Sequence, residues 1–573
     1  MAKFQRDNIK QSLAEFFLPV WLAFKMIPAR YRITLVYLFI PSIYLINVTA
    51  IHYSLGPFYM NHVDPEYFYM YNGVVLGAGN LSIQYFAHPG TPLHYMVMLS
   101  ARITDLFQPG DYMKSFVDDP EKYVHAANLF INSIIALVLF FAGISVKRYS
   151  GSVLTGLTIQ MVPFSSMELI SLSGRVFPEA ILIIPLLLTA VLVLRYIYRD
   201  DQEEKDINYE VFFGLIIGFG IAIKLTFIPV MLIPLVLLKR KARQKVFLLL
   251  YTLLFFMIFA YPVVFNIQEF WKWTSGIFSH SGKYGSGAKE IINFADVPGN
   301  FILLFKQNKT LFLTALGALI LALFYLPVIS RKRQEAKKAG KAIFAVFISF
   351  VVSVVFILKH FSDYYFTPFN CYILLLILLA MTLIIHSANI NQNKLFKNLV
   401  VIAVFVSVIL LISLQVVKIR SNLKVTYRKT ARMEQENERI AAMVDPKKPI
   451  IISGAYFGAP FIETAHFNGF IMSARLKGFY KSYLKEKYPN SYFFVTWLDQ
   501  FNYWSDKAGF DEILKKTSSS FYIYVGKSRG DDMKIIRERL WKSLDQNDIT
   551  EKVLFQDPDS GEQLVEVFIE KND

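Results

Sequence analysis

Two carboxylates, Asp64 and Glu66, stand one proline apart just after the first strongly apolar segment, residues 33–53. They begin a stretch, residues 61–92, that is too polar to span a bilayer and is rich in aromatic side chains. Asp-Pro-Glu is a typical helix start, with the aspartate as N-cap and proline at the first helical position. A carboxylate held there beside a membrane cavity could also accept the proton of an attacking hydroxyl. The two interpretations are compatible, and the sequence leaves open which carboxylate is the base.

The same carboxylates could instead hold a divalent cation through their oxygens. Two carboxylates do not by themselves indicate a metal, so no metal and no cofactor is predicted. The single cysteine, Cys371, lies in an apolar run. The sequence therefore excludes a cysteine metal site and a disulfide within the chain.

A second group of candidates consists of isolated cations near the ends of apolar runs: Arg175, Lys224, and Lys359 followed by His360. Such cations often only reach the membrane surface with their charged ends. Lys224 differs because it interrupts an apolar run of 28 residues. If these cations share one function, it would be to bind the phosphate of a lipid-linked substrate. For Arg175 the alternative is a local ion pair with Glu179, four residues later.

Two turn motifs contain further candidate site residues. His88 opens His-Pro-Gly-Thr-Pro, which predicts a tight turn followed by a surface helix at 93–107. His280 opens a glycine-rich loop that runs to residue 287. That loop lacks the features of a nucleotide-binding loop, and it is either a lid or a plain surface loop.

The elements that must position these residues are mostly membrane helices. The chain has 573 residues, of which 54% are hydrophobic and 18% charged, against roughly a quarter charged in soluble proteins. Apolar runs near the length needed to cross a bilayer recur through residue 415. They predict a polytopic α-helical membrane protein with about eleven spans: 33–53, 123–146, 153–167, 176–197, 211–223, 226–238, 246–265, 310–329, 342–358, 367–385 and 399–415.

Charge distribution predicts the orientation. The net charge of +16 is concentrated in short loops, which indicates topology signals and attraction to membrane lipids, not nucleic acid. Loops 239–245 and 331–341 hold five and six basic residues, so both should be cytoplasmic. Loop 54–122 holds seven acidic and three basic residues, so it should be extracytoplasmic. All loops agree only if the apolar run around Lys224 forms two short helices.

Three domains follow. Residues 1–32 resemble no cleaved signal and predict a cytoplasmic interfacial amphipathic segment. Residues 33–418 are predicted to form a transmembrane domain that contains the candidate site residues. Residues 419–573 alternate strand-like and helical runs and predict a soluble extracytoplasmic α/β domain. This domain shows no phosphate loop or nucleophile elbow, so no chemistry is assigned to it.

Four motifs, in order, resemble one family. Asp64-Pro-Glu66-Tyr67 follows the first span, and His88-Pro-Gly-Thr-Pro-Leu93 opens a surface helix. Residues 214–229 contain Lys224 near their end, and Lys359-His-Phe-Ser-Asp-Tyr-Tyr-Phe-Thr-Pro368 precedes a late span. The chain resembles the GT-C superfamily of integral-membrane glycosyltransferases over about residues 30–420, and within it the bacterial aminoarabinose and protein O-mannosyl transferase branch.

This resemblance implies inverting transfer of a sugar from a polyprenyl-phosphate donor to a hydroxyl acceptor on a lipid, glycan or protein. The reaction would occur at the extracytoplasmic face of a bacterial inner membrane. Asp64 or Glu66 would be the base. The remaining implied roles are donor-phosphate binding by Lys359, His360, Arg175 and Lys224, and sugar or acceptor binding by His88, His280, Tyr284 and Tyr364.

The sequence departs from the family in two places. Pro65 separates carboxylates that are commonly adjacent, and Asp363 precedes Tyr364 where an arginine is usual. Two alternatives stay open: a glycan ligase or polymerase with a lipid-diphosphate donor, and a lipid or sugar transporter. The ligase would require more arginines at the outer face, and the transporter would require inverted repeats.

Overall fold

A computed structural model describes most of the chain. The described residues are 28–60, 66–81, 83–84, 89–106, 110–199, 208–238, 242–280, 288–290, 292–325, 334–359, 361–362, 364–387, 394–453, 461–495, 498–517, 520–527, 530–542 and 549–569. The predicted site residues Asp64, His88, Tyr284 and His360 lie outside these ranges, as do the amphipathic segment 1–27 and the lid residues 281–287.

The first apolar helix and the surface helix that opens after Gly90 follow the sequence prediction. Helix α1 (Ala29–Ser54) covers the predicted first span and leads to three shorter helices, α2 (Glu66–Gly77), α3 (Thr91–Asp105) and α4 (Tyr112–Asp118). Helix α3 is the predicted surface helix. It begins where Gly90 adopts a left-handed φ of 64°, a conformation that favours glycine.

The helical region continues through fifteen further α-helices in the described part of the chain, several of them short. They are α5 (Pro120–Ser150), α6 (Val153–Gln160), α7 (Met167–Leu172), α8 (Pro178–Ile181), α9 (Ile183–Tyr198), α10 (Tyr209–Ile223), α11 (Leu232–Leu237), α12 (Ala242–Phe259), α13 (Tyr261–Val264), α14 (Ile267–Ser279), α15 (Val297–Gln307), α16 (Lys309–Tyr325), α17 (Gln334–Lys359), α18 (Tyr372–Ser387) and α19 (Lys394–Met443).

Fewer helices than predicted are long enough to cross a membrane. Within the described residues seven are long and apolar enough, and the pair α15–α16, bent by 89°, would add an eighth. The predicted span 153–167 is interrupted, because a 3-10 turn (Val162–Ser165) separates α6 from α7. The count of eleven spans therefore stays a prediction.

The predicted break at Lys224 is present. Lys224 has an extended backbone (φ −159°, ψ 134°) between α10 and a 3-10 helix (Leu225–Met231) that continues into α11. The run thus forms two short helical segments. An extended residue between them directs the ammonium away from either helix axis and toward neighbouring elements.

A seven-stranded sheet forms the C-terminal part. Its strand order is β4-β3-β2-β1-β5-β7-β6, and β1 lies parallel to both β2 and β5 while the other pairs are antiparallel. The predicted domain boundary at 418/419 falls inside α19, which continues without a break to Met443. The strands are β1 (Ile450–Ser453), β2 (Ser491–Val495), β3 (Gln500–Tyr503), β4 (Asp506–Lys507), β5 (Ser520–Val525), β6 (Ile549–Gln556) and β7 (Gln563–Ile569).

Helices flank the sheet, and one of them rests on the helical region. They are α20 (Ile462–Ala474), α21 (Lys481–Lys487), α22 (Phe510–Lys516) and α23 (Gly530–Trp541). Tyr480, just before α21, donates a hydrogen bond to the Tyr71 carbonyl of α2 at 3.1 Å. Lys487 donates to the Val117 carbonyl of α4 at 2.6 Å. The two ends of α21 therefore contact α2, the helix that begins with Glu66, and α4.

Candidate active site

One backbone segment, residues 173–179 between α7 and α9, connects most of the described candidate residues. It carries Arg175 and Glu179, and its backbone N–H at Val176 meets Glu66. Tyr364 packs against its Phe177, with 5.9 Å between the ring centroids. The structure thus brings Glu66, Arg175, Lys224 and Tyr364 to one region.

Glu66 is fully buried at the start of α2. Its Oε1 accepts a hydrogen bond from the Val176 N–H, with 2.5 Å between the two atoms. The amino end of a helix also favours a negative charge. This hydrogen bond therefore holds Glu66 in place and links α2 to the turn that carries Arg175.

Arg175 faces a cavity of about 390 Å³. The cavity lies between the end of α1, residues 171–177, Tyr364 and the middle of α19. Arg175 is half-buried, and its guanidinium carbon lies 5.3 Å from the centroid of the Phe177 ring. Among the described lining residues it is the only charged one: Ile51, Ser54, Leu55, Ser171, Leu172, Arg175, Phe177, Tyr364, Ile419, Asn422, Leu423 and Thr426.

Lys224 has a different environment. Its ammonium forms an ion pair with Glu179, and each side chain is only 1% exposed. The ammonium also lies 3.5 Å from the centroid of the Tyr365 ring and 5.8 Å from that of Tyr364, so a cation–π contact adds to the ion pair. The Lys224 charge is compensated within the protein.

This pairing corrects one expectation. The sequence suggested a local ion pair between Arg175 and Glu179, but Glu179 pairs with Lys224. A buried ammonium requires a compensating carboxylate, whereas a half-buried guanidinium beside a cavity does not. Lys224 is therefore poorly suited to bind a lipid phosphate directly, and Arg175 is better suited.

Lys359 and His280 lie together at another place, the end of α14. Lys359 Nζ donates a hydrogen bond to the Phe278 carbonyl at 2.7 Å and lies 5.7 Å from the centroid of the Phe278 ring. His280 Nδ1 lies 3.0 Å from the Ser279 hydroxyl and 3.3 Å from the Gly276 carbonyl. Neither residue lines the Arg175 cavity, so their predicted substrate contacts stay predictions.

His94 is a buried titratable group that the sequence analysis did not single out. It lies in the first turns of α3, and its ring centroid is 5.3 Å from that of Tyr69. Full burial lowers the pKa of His94 to about 3. The imidazole is therefore neutral at physiological pH and adds no positive charge near the turn at Gly90, whose N–H bonds the Ile223 carbonyl.

Residues 173–176 are held by side chains that were not predicted from the sequence. The Ser173 carbonyl accepts hydrogen bonds from Asn128 and Asn132, and the Gly174 carbonyl bonds His52. A signal was available, because two asparagines four residues apart share one face of a membrane helix, where polar side chains need partners.

Comparison with known proteins supports a glycosyltransferase function. Residues 122–354 match the model of glycosyltransferase family 87, a family with the GT-C fold. The matched segment contains Arg175, Glu179 and Lys224; Glu66 precedes it and Lys359 follows it. No curated protein matches the chain.

Among solved structures, the chain is similar to the crystal structure of ArnT from Cupriavidus metallidurans bound to undecaprenyl phosphate. The identity is 12%, the match covers 92% of this chain and 97% of that chain, and the TM-score is 0.43. A TM-score this low does not establish a shared fold. The family match is the finding that confirms the predicted resemblance to GT-C membrane glycosyltransferases.

Proposed function

We propose that this protein transfers a sugar from a polyprenyl-phosphate lipid to a hydroxyl acceptor, with inversion at the anomeric carbon. The observation that carries the proposal is the hydrogen bond between Glu66 and the Val176 N–H. This bond places the helix start that follows Asp64 next to the turn that carries Arg175. A base and a phosphate-binding cation are the two groups that such a single displacement requires.

Asp64 is the residue that we assign as the base. Asp64 lies two residues before Glu66 in the chain. Glu66 itself is buried, and one of its oxygens accepts a backbone hydrogen bond. Glu66 therefore suits a positioning role, which leaves Asp64 to receive the proton of the acceptor hydroxyl.

Arg175 is assigned to the donor phosphate. A guanidinium matches phosphate oxygens in geometry and stabilises the charge that develops as the phosphate departs. A single charged side chain among the described lining residues fits a monophosphate better than a diphosphate. This feature supports the transferase over the ligase alternative.

The proposed reaction is one balanced displacement. The acceptor oxygen forms a bond to the anomeric carbon as the bond from that carbon to the phosphate oxygen breaks. The hydroxyl proton moves to Asp64, and the electron pair of the broken bond leaves with the polyprenyl phosphate. No covalent enzyme intermediate is required, and a single displacement inverts the anomeric centre.

The acidic character of loop 54–122 and the basic loops 239–245 and 331–341 support an extracytoplasmic location for this site. Lipid-linked sugars are the donors that this face of a membrane offers, since nucleotide sugars stay in the cytoplasm. Sugar and acceptor binding by His88, His280, Tyr284 and Tyr364 is part of the same proposal.

A pair of isosteric variants tests the base assignment. Asp64→Asn should lower transfer by about 100-fold or more, because general-base catalysis contributes roughly 10²–10⁴-fold. Glu66→Gln retains an oxygen that can accept the Val176 N–H and should cost far less. Transfer is measured with a panel of labelled polyprenyl-phosphate sugars and membranes that supply endogenous acceptors.

Binding of a polyprenyl monophosphate to detergent-solubilised protein is the control, and Asp64→Asn should leave it unchanged. Full transfer by Asp64→Asn, together with loss of transfer in Glu66→Gln, would reassign the base to Glu66. Full transfer by both variants would remove the catalytic assignment from this stretch.

A further inference from the structure

The turn that carries Arg175 is held by side chains from other helices. Within the turn, the N–H groups of Ser173, Gly174 and Arg175 bond carbonyls three residues earlier. These local bonds fix the turn to α7 only. Its position relative to α1 and α5 depends on bonds to the Ser173 and Gly174 carbonyls.

Two asparagines of α5 satisfy the first of these carbonyls. Asn128 Nδ2 and Asn132 Nδ2 lie 3.0 Å and 2.9 Å from the Ser173 oxygen. The Tyr44 hydroxyl of α1 donates to Asn132 Oδ1 at 2.6 Å. All three side chains are buried, and a buried amide is stabilising only when it is hydrogen-bonded.

The second carbonyl is bonded by a histidine. His52, also buried, has its Nδ1 2.8 Å from the Gly174 oxygen and its Nε2 2.7 Å from His125 Nδ1. A carbonyl can only accept, so Nδ1 of His52 carries a hydrogen. In the neutral ring Nε2 then accepts from His125, whose Nε2 lies 3.5 Å from Glu121 Oε1.

Gly174 permits this close approach. A Cβ at this position would lie 2.5 Å from Ile51 Cγ2 and 3.4 Å from the His52 nitrogen. The turn therefore packs directly on the backbone of α1, where His52 reaches its carbonyl. The next residue, Arg175, faces the cavity.

We infer that His52 is a positioning residue that fixes the Arg175 turn against α1, with Asn132 as a second support. This inference rests on the proposed function for its effect on catalysis. His52 reaches the Gly174 carbonyl from α1, and the Glu66 bond at Val176 comes from α2. Arg175 thus lies between two anchored backbone groups, which limits the positions its guanidinium can take.

Two substitutions of His52 separate a hydrogen bond from packing. His52→Asn can place an amide N–H near the position of Nδ1 and keep the bond to Gly174, although it loses contact with His125. His52→Phe keeps a ring of similar shape and loses the donor. We expect His52→Phe to weaken binding of a polyprenyl monophosphate about tenfold, as one lost hydrogen bond of about 1.4 kcal/mol predicts, and His52→Asn to restore binding to within about threefold.

A double-mutant cycle tests whether the effect passes through Arg175. In an Arg175→Ala background, His52→Phe should change the binding no further, because interacting residues are not additive. Equal losses in His52→Asn and His52→Phe, or an undiminished effect of His52→Phe in the Arg175→Ala background, would overturn the inference.

A labelling measurement that needs no ligand keeps this test independent of the proposed function. In Arg175→Cys, the labelling rate with a water-soluble maleimide reports the exposure of the turn, and buried Cys371 in the parent protein gives the background. His52→Phe should change that rate about threefold or more, and His52→Asn should not. If Arg175→Ala binds the monophosphate normally, the proposed phosphate role fails. The labelling rates still decide whether His52 positions the turn, and equal rates in both variants would refute it.

Discussion

Arg175 and Lys224 are two cations that the sequence predicts for the same task, and they have opposite surroundings. Lys224 is 1% exposed and paired with Glu179, under the ring of Tyr365. Arg175 is half-buried, lines a cavity, and its guanidinium lies over the Phe177 ring. One cation is compensated inside the protein, and the other faces a space that a ligand can enter.

The difference follows from the backbone at each residue. Lys224 is the extended residue between two helical segments, and it points into packed protein, where an unpaired charge would cost several kcal/mol. Arg175 follows a tight turn whose carbonyls are taken up by α1 and α5. Among the described residues, Arg175 has no carboxylate partner and lies beside a cavity, and this makes it the better candidate to bind a substrate.

The largest expected effect comes from removing the partner of Lys224. Glu179→Gln leaves a buried ammonium uncompensated and should lower the free energy of unfolding by about 3–5 kcal/mol. The measurement is thermal or denaturant unfolding of the purified protein in detergent. The double variant Lys224→Met, Glu179→Leu removes both charges and should recover most of this loss.

Unchanged stability of Glu179→Gln, together with tighter binding of a polyprenyl monophosphate, would contradict the assigned difference between Lys224 and Arg175. That result would mean that Lys224 is free to bind phosphate once Glu179 is neutral. The original prediction of a direct phosphate role for Lys224 would then hold.

The second expected effect is on activity instead of stability. Arg175→Gln should lower transfer by about 100-fold, the size of effect seen when one donor to a developing negative charge is removed. Its free energy of unfolding should change by less than about 1 kcal/mol, because the side chain forms no ion pair with any described residue. Arg175→Lys, which keeps the charge but not the planar group, should have intermediate activity. Normal transfer by Arg175→Gln would remove the assigned role.

Local sequence signals predicted much of the fold. The first span, the surface helix after Gly90 and the break at Lys224 follow from apolar length, turn residues and charge. In the C-terminal part, β1 (Ile450–Ser453) lies in the region where strand-like runs are predicted, and a short run of β-branched residues is typical of a buried strand. The interruption of the span at 153–167 was also readable, since Pro163 and the N-cap Ser166, which accepts from Leu169 N–H, are local helix-start signals.

The candidate site was less predictable because its contacts join residues far apart in the chain. Glu66 meets Val176 across 110 positions, and Lys224 meets Glu179 across 45. The sequence suggested Arg175 as a local partner of Glu179 and gave no indication of Lys224, which lies 45 positions away. The choice between them depends on which side chain is buried, and burial is set by tertiary packing.

The smallest expected effect concerns the third described cation, Lys359. Its ammonium bonds the Phe278 carbonyl at the exposed end of α14, far less enclosed than Lys224 and outside the lining of the Arg175 cavity. A partly exposed charge of this kind contributes up to about 1 kcal/mol, so Lys359→Gln should weaken binding of a polyprenyl monophosphate by about fivefold at most. Lys359→Arg, which keeps the charge, serves as the matched control. A loss in Lys359→Gln as large as that in Arg175→Gln would mean that the donor phosphate contacts both cations, and α14 would then have to move toward the cavity when substrate binds.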